Sequence, residues 1–189
     1  MNTVIRALFR APLRALFSAL LLVLLAGCAG PDVQQYKAQQ PALDLAAYFN
    51  GTTDAWGMFQ RRGGAVEKRF HVVITGTSDA GTLTLDEQFA YDDGSTQRRV
   101  WHLVRAADGR WHGRAADVKG EALGELAGNA LRWQYTLLLP VDGSTYAVAF
   151  DDWMFLIDGC TMINRASMSK FGVELGQITL LFRKRACGP

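Results

Sequence analysis

Apolar and polar residues alternate with a period of two over most of the chain after Trp56. Alternation of this kind predicts half-buried β-strands that turn one face toward a core. The predicted apolar faces are Phe70, Val72 and Ile74; Leu83, Leu85, Phe89 and Tyr91; Leu131, Trp133, Tyr135, Leu137 and Leu139; Tyr146, Val148 and Phe150; and Ile178, Leu180 and Phe182. Before the strands, Leu43–Phe49 favours a short helix that ends near Gly51.

Residues that favour tight turns separate these predicted strands. Asp-Gly pairs are typical of β-hairpins because both residues tolerate positive φ. They occur at Asp93-Gly94, Asp108-Gly109, Asp142-Gly143 and Asp158-Gly159. We therefore expect roughly nine to eleven short antiparallel strands in sequence order. No long helical pattern interrupts them, which argues against a parallel βαβ arrangement.

A meander of this many strands must protect its edges, and closure into a barrel does so completely. A barrel of roughly eight to ten strands has room for its own side chains and one small ligand. The predicted fold class is mainly β, an antiparallel up-and-down β-barrel of the lipocalin-like kind. The alternative is a β-sandwich or an open curved sheet with a filled core. The opposite faces carry many charged residues, as in Gln97–Arg99, so we do not expect a membrane-spanning barrel.

The N-terminal residues have the features of a bacterial lipoprotein signal. Arg6, Arg10 and Arg14 form a positive region, and the following apolar run, residues 15–26, is interrupted only by one serine. This run is shorter than the roughly 20 apolar residues that a transmembrane helix needs. Small residues precede the cysteine in Leu25-Ala26-Gly27-Cys28. We predict a signal peptide over residues 1–27 and acylation of Cys28; the alternative is a membrane helix with an incidental cysteine.

The predicted signal sets the expected location and the domain boundaries. Acyl chains on Cys28 would anchor the protein in a membrane. By resemblance to bacterial lipoproteins in general, Ala29 in place of an aspartate implies sorting to the outer membrane of a Gram-negative cell envelope, with the domain in the periplasm. Residues 28–41 are polar, so we expect a lipidated cysteine followed by a tether. A single β-barrel domain is predicted over residues 42–189.

Removal of the signal changes the charge and the cysteine count. The whole chain has 20 basic and 18 acidic residues, but three arginines and no acidic residue lie before Cys28. The remaining chain has a formal charge of −1, with 17 basic and 18 acidic residues, so nucleic acid is not an expected partner. Only Cys160 and Cys187 then remain, and a disulfide between them in an oxidising compartment is an open possibility.

Eight short blocks occur in order along the chain and are specific as a set. They are Phe49-Asn50-Gly51, Gly57-Met58-Phe59, Leu83–Glu87, Tyr91–Gly94, Arg98–Trp101, Gly128–Leu131, Phe150–Met154 and Asn164–Gly172. The set resembles an uncharacterised bacterial lipoprotein family, the domain of unknown function numbered 3833, over nearly the whole chain after Cys28. The resemblance implies an envelope lipoprotein of one domain, and it implies no catalytic residue.

Glu87 and Arg99 are the first candidates for a ligand-binding site. Glu87 lies on the predicted inner face with Leu85 and Phe89, and a carboxylate there must pair, accept hydrogen bonds or change its pKa. Arg99 shares a face with Trp101 on the next predicted strand. The functional hypothesis is that an Arg99–Glu87 pair, or a free Arg99, holds the polar head of a fatty-acid-like ligand. The alternatives are a structural ion pair and a bulge that turns Glu87 outward.

The hypothetical binding site also includes Trp101, Trp133, Tyr135, Asp151 and Arg165. The tryptophans and Tyr135 lie on predicted apolar faces, where core packing is the alternative role. Asp151 lies beside bulky apolar residues, and the favoured alternative is a strand bend in which one carboxylate accepts hydrogen bonds from backbone amides. Arg165 alternates with Ile163 and Ser167, which would bring its guanidinium into the barrel, where it suits carboxylate or phosphate recognition. The alternative is that this polar stretch only lies on the surface before the following turn.

Three functions are compatible with the sequence. The first is binding of a lipid or other small hydrophobic molecule in a barrel cavity. The second is an enzyme that modifies such a molecule, and the third is a structural or assembly lipoprotein with a filled core. No cofactor is predicted, and the spacing of His71, His102 and His112 does not indicate a metal site. Familiar hydrolase, redox and nucleotide motifs are absent from the sequence, and no feature predicts an oligomeric state.

Overall fold

The computed structural model describes residues 30–187. The predicted signal peptide, residues 1–27, and Cys28 lie outside the described residues. Every described helix and strand belongs to one compact unit, Val33–Pro189. Within residues 30–187, no helix has the length and apolar character needed to cross a membrane.

Within residues 30–187, two short helices precede ten β-strands. A 3₁₀ helix spans Val33–Tyr36. Helix α1 spans Leu45–Phe49, within the short helix predicted over Leu43–Phe49. The strands are β1 Gly51–Arg61, β2 Val66–Asp79, β3 Thr82–Tyr91, β4 Thr96–Arg105, β5 Trp111–Arg114, β6 Ala122–Ala127, β7 Ala130–Val141, β8 Ser144–Leu156, β9 Thr161–Lys170 and β10 Val173–Lys184. Their number lies within the predicted range.

The ten strands form a closed antiparallel barrel in which each strand pairs with its neighbours in sequence. Pairing of β1 with β10, from Thr53 opposite Lys184 to Arg61 opposite Gly176, closes the barrel. The predicted up-and-down barrel is therefore confirmed, and the β-sandwich and the open sheet are excluded. Closure leaves neither edge of the sheet unpaired, which removes the template for edge-to-edge association.

Tight turns join most of the strands, as the Asp-Gly pairs predict. In the turn between β7 and β8, Asp142 has φ 48° and Gly143 has φ 77°. Two successive residues with positive φ are the signature of a two-residue type I′ hairpin, whose twist matches that of the flanking strands. Local sequence thus determines the register of this hairpin.

Helix α1 covers one end of the barrel. Asp44 caps the helix by accepting a hydrogen bond from the backbone N–H of Ala47 at 3.0 Å. Leu45 and Phe49 point into the barrel and are buried. A Cβ atom on Gly76 of β2 would lie only 1.8 Å from the Phe49 carbonyl oxygen. Helix and strand can approach this closely only because Gly76 has no side chain.

The C-terminal segment fixes the same end of the barrel. Cys160 and Cys187 form the disulfide that the sequence left open, with their Cα atoms 5.8 Å apart. Tyr48 donates a hydrogen bond to the Cys160 carbonyl at 3.1 Å. Lys184 donates another to the Ala47 carbonyl at 2.7 Å. These contacts hold α1 in place from two sides.

Part of the segment predicted as a tether, Val33–Tyr36, packs on the outer wall of the barrel. Val33 is buried against Ala127 and Ala130. The Tyr36 ring lies edge-on to the rings of Trp153 and Phe155, with centroids 6.0 and 5.2 Å away. Residues three apart lie on the same side of a 3₁₀ helix, which lets a largely polar segment offer two apolar side chains to the wall.

Candidate ligand-binding cavity

The barrel encloses a cavity of about 260 Å³. This volume is far larger than the roughly 10–15 Å³ needed to hold a single water molecule, so it is no ordinary packing defect. Most of the lining is apolar, with a large aromatic share: Phe59, Phe70, Phe89, Trp101, Trp133 and Phe150. The alternating residues of the strands supply this lining, because successive side chains point to opposite faces of a sheet.

Trp133 is held in a slot formed by two glycines on neighbouring strands. A Cβ atom on Gly113 of β5 or on Gly124 of β6 would lie 2.5 Å from an atom of the Trp133 ring. The ring also meets Trp101 edge-on, with centroids 5.6 Å apart. The indole is therefore fixed in one orientation in the cavity wall.

Arg99 forms the centre of a buried polar cluster. Its Nε lies 2.9 Å and its Nη2 lies 2.8 Å from the same carboxylate oxygen of Asp117. The predicted partner, Glu87, is more distant, with 3.8 Å between Arg99 Nη1 and Glu87 Oε2. The guanidinium also lies over the Phe89 ring, 5.5 Å from its centroid. Asp117 is therefore the main counter-ion of Arg99. Glu87 interacts with the Arg99 charge more weakly, because it lies farther away.

The environment of Glu87 favours its protonated form. Burial raises the pKa of Glu87 from its ordinary value of 4.5 to about 7, and the Arg99 charge opposes this rise only in part. The Glu87 side chain points inward, as the sequence predicts, and no bulge turns it outward. A carboxyl group that can exchange its proton near neutral pH is thus present in the cavity wall.

A second polar group lies on β7, β8 and β9. The Tyr135 hydroxyl donates a hydrogen bond to Asp152 Oδ2 at 3.3 Å. The Nδ2 atom of Asn164 is 3.4 Å from the Trp153 carbonyl, to which it donates. Among residues 30–187, neither Asp152 Oδ1 nor Asn164 Oδ1 has a hydrogen-bond partner. Both side chains belong to the cavity lining, and these two oxygen atoms are buried and unsatisfied.

The environment of Asp152 also favours the protonated form of its carboxyl group. Burial raises its pKa from 3.8 to about 8, with a smaller opposing effect from the hydrogen bond of Tyr135. The neighbouring acid Asp151 and the more distant Glu87 raise the pKa further, whereas Arg99 lowers it. In the folded protein, Asp152 is therefore mainly protonated near pH 7.

Asp151 and Arg165 do not belong to the cavity, which corrects the prediction for both. Asp151 points outward from β8 and accepts two hydrogen bonds from Arg132 at 2.8 Å. Arg165 points outward from β9 and donates to the Gln177 side chain at 2.7 and 3.1 Å. The reason is the period of two, which places their neighbours Asp152 and Asn164 on the inner face. The remaining candidates, Glu87, Arg99, Trp101, Trp133 and Tyr135, all line the cavity.

The cavity reaches the surface at the end opposite α1. Lys68, Tyr91 and Gln97 lie at this mouth. The Tyr91 hydroxyl donates to Gln97 Oε1 at 2.9 Å, and Lys68 Nζ lies 3.3 Å from a carboxylate oxygen of Asp93. The mouth is polar, whereas the interior beyond it is mainly apolar.

Ten antiparallel strands around an apolar cavity define a lipocalin-like β-barrel. The chain belongs to the family described as protein of unknown function (DUF3833), whose model matches residues 22–184. A search among curated proteins finds no significant match to the sequence.

Solved structures with a similar fold include the S-type phycobiliprotein lyase CPES from Guillardia theta, with a TM-score of 0.58. The two sequences are 6% identical, and the match covers 83% of this chain and 100% of the lyase. A redesigned β-barrel, mFAP0, bound to DFHBI matches with a TM-score of 0.40 and 11% identity, over 72% of this chain and 99% of that barrel. At 6% identity, the likeness to the lyase concerns the fold alone.

Proposed function

We propose that this protein is an envelope lipoprotein that binds a small lipid-like or otherwise hydrophobic molecule inside its barrel. The observation that carries the binding proposal is the cavity of about 260 Å³, with apolar walls and a few inward polar groups. Ligand sites in proteins typically combine these features. A barrel with a solidly filled core, which a purely structural role would allow, does not fit this cavity.

The volume of the cavity limits the ligand. Pockets for drug-sized molecules measure roughly 300–1,000 Å³, and this cavity lies just below that range. One short acyl chain or one small ring system therefore suits it, whereas a two-chain phospholipid exceeds its volume. The proposed cargo is a single-chain or small cyclic hydrophobic molecule.

A cavity-filling variant tests the binding proposal. Ala166 lines the cavity on β9, whereas Ala149 is exposed on the neighbouring strand β8. We expect Ala166→Phe to lower the affinity for the fluorescent hydrophobic amine N-phenylnaphthylamine at least about tenfold, since the added ring occupies the binding volume. Ala149→Phe, the same substitution on the outer face, should leave the affinity unchanged. Equal affinities for both variants, with the folded state intact, would contradict binding in the cavity.

Support for the lipid anchor comes from the sequence, in the Leu25-Ala26-Gly27-Cys28 block after a positive and then apolar run. The outer membrane is the proposed location, with the barrel in the periplasm. Metabolic labelling with an alkyne fatty acid tests the acylation of Cys28 directly. We expect labelling of the wild type and of Ala29→Ser, and none of Cys28→Ser. A labelled Cys28→Ser protein would rule out Cys28 as the acylated residue.

A second candidate function is an enzyme that acts on the bound molecule. It is favoured by Glu87 and Asp152, two cavity carboxyl groups whose pKa values lie at about 7 and about 8. Groups of this kind are suited to proton transfer near neutral pH. Mass analysis of a ligand recovered after incubation separates the two functions, because a binding protein returns the molecule unchanged.

A further inference from the structure

We propose that the polar group of the cavity ligand is a hydrogen-bond donor without negative charge, an amine or an alcohol, and that Asp152 and Asn164 hold it. This inference rests on the proposed function and names the ligand class. It replaces the fatty-acid-like head group that the sequence suggested for Glu87 and Arg99.

The first argument is the orientation of the unsatisfied atoms. The Trp153 carbonyl can only accept a hydrogen bond, so the Asn164 amide must turn its Nδ2 toward it. This leaves Asn164 Oδ1 as a buried acceptor without a donor among residues 30–187. Asn164 is only 1% exposed and Asp152 only 7%, so bulk water does not satisfy them. A buried polar group without a partner is costly, which makes a ligand that supplies the donor favourable.

The second argument concerns the cationic side chains of the cavity, because an anionic head group would need a cation that is not already paired. Two cationic side chains line the cavity, Arg99 and Lys68. Arg99 donates from Nε and Nη2 to Asp117, and its remaining nitrogen faces Glu87. Lys68 lies at the mouth beside Asp93, with its side chain about half exposed (51%). Both cations that line the cavity are thus already paired with carboxylates.

A carboxylate head group therefore fits poorly. It would bring a third acidic group into a cavity that already contains Glu87 and Asp152, and it has no donor for Asn164 Oδ1. An alcohol donates to Asn164 and can accept from protonated Asp152. An ammonium group donates to Asn164 and pairs with ionised Asp152, with release of the Asp152 proton. Either donor class thus supplies a partner for Asn164 Oδ1 and for the Asp152 carboxyl group, once the two side chains turn toward the bound head group.

The test compares ligands that differ only in the head group: octylamine, octanol and octanoate. Displacement of N-phenylnaphthylamine from the full-length protein gives the affinity of each. We expect octanoate to bind at least about tenfold more weakly than the better of the other two, since one hydrogen bond to a buried polar group corresponds to about that factor. Octanoate affinity equal to or above that of the donors would overturn the inference.

Variants assign the preference to the two residues. Asn164→Leu and Asp152→Leu should each reduce the advantage of the donor ligands over octanoate about tenfold. Asp151→Leu, which removes the neighbouring carboxylate on the outer face, should leave it unchanged. If no octyl compound displaces the probe, or if Ala166→Phe does not weaken binding, the proposed function itself fails. If binding is lost in Ala166→Phe but head-group selectivity persists in both leucine variants, only the assignment to Asp152 and Asn164 is wrong.

Discussion

Replacement of Gly76 by alanine should loosen helix α1 from the end of the barrel. The added Cβ atom would lie 1.8 Å from the Phe49 carbonyl oxygen and 2.7 Å from its carbon. The oxygen must retreat by roughly 1.5 Å or more to reach ordinary contact. Backbone atoms cannot avoid the clash by changing a rotamer, so the helix itself must move.

The size of the effect follows from what α1 buries. Leu45, Tyr48 and Phe49 are each at most 5% exposed, and full burial of a large apolar side chain stabilises by about 1.5–3 kcal/mol. Complete release of the helix would therefore cost up to about 9 kcal/mol, whereas overpacking with local adjustment costs about 1–3 kcal/mol. We expect a loss of about 2–4 kcal/mol, or roughly 5–15 °C in Tm.

Denaturant unfolding measures the loss, and amide hydrogen exchange locates it. Gly63→Ala is the matched control, because a Cβ atom on Gly63 would meet nothing within 4 Å and its effect should stay within about 0.5 kcal/mol. In Gly76→Ala the backbone N–H groups of Tyr48 and Asn50, which bond within α1, should exchange faster. Equal stability of the two variants would refute the close packing of α1 on β2.

Three further perturbations have defined outcomes. Because the pKa of Asp152 rises from 3.8 to about 8 on folding, the folded state holds a proton that the unfolded state releases, so stability falls as pH rises between these values. Unfolding of Asp152→Asn at a series of pH values should lack this contribution, and parallel curves for variant and wild type would exclude it. Arg99→Met should cost about 3–5 kcal/mol in a denaturant titration, because it leaves buried acidic groups without their cation. Arg98→Met is the control, because Arg98 pairs with Asp86 on the outer face of the barrel, where its side chain is mostly exposed. This variant should cost less than about 1 kcal/mol, and similar losses in both variants would speak against a buried cluster. Cys187→Ser should lower stability by about 3 kcal/mol, from a disulfide that spans 27 residues, and the difference from wild type should vanish in reductant.

The barrel and most of its inner surface follow from local sequence. Alternation and hairpin turns are both short-range signals, and closure follows because a long meander has edges to protect. The inward positions of Glu87, Arg99 and Trp133 are predictable for this reason, since each lies in a strand whose inner face is clearly apolar. The limits of the prediction lie where that signal is mixed or where the chain leaves the strands.

Asp152 is accessible to sequence reasoning, and Asn164 much less so. Phe150 is a predicted inward residue, and β8 continues without a register shift, so the same period places Asp152 inside and Asp151 outside. On β9 the outward set contains Ile163, which is 40% exposed. An apolar residue on the outer face removes the contrast between the two faces, which is why the prediction for Arg165 is wrong.

Asp117 is not predictable from any local pattern. It lies between β5 and β6, in a connection whose backbone bonds to β7, where the N–H of Leu138 donates to the Asp117 carbonyl at 2.8 Å. Only this return of the chain brings its carboxylate to Arg99 on β4. The packing of Val33 and Tyr36 escapes prediction for a similar reason, because two apolar residues in a polar segment show their common side only once the 3₁₀ helix has formed.

The two ends of the barrel differ in how freely they can change. At one end, α1, the disulfide and the C-terminal segment are tied together, so an insertion there would disturb several contacts at once. At the other, short turns such as Asp142-Gly143 connect the strands around the cavity mouth. Surface turns accept insertions well. Longer turns can therefore reshape the cavity mouth, in nature or in the laboratory, while the sealed end maintains the fold.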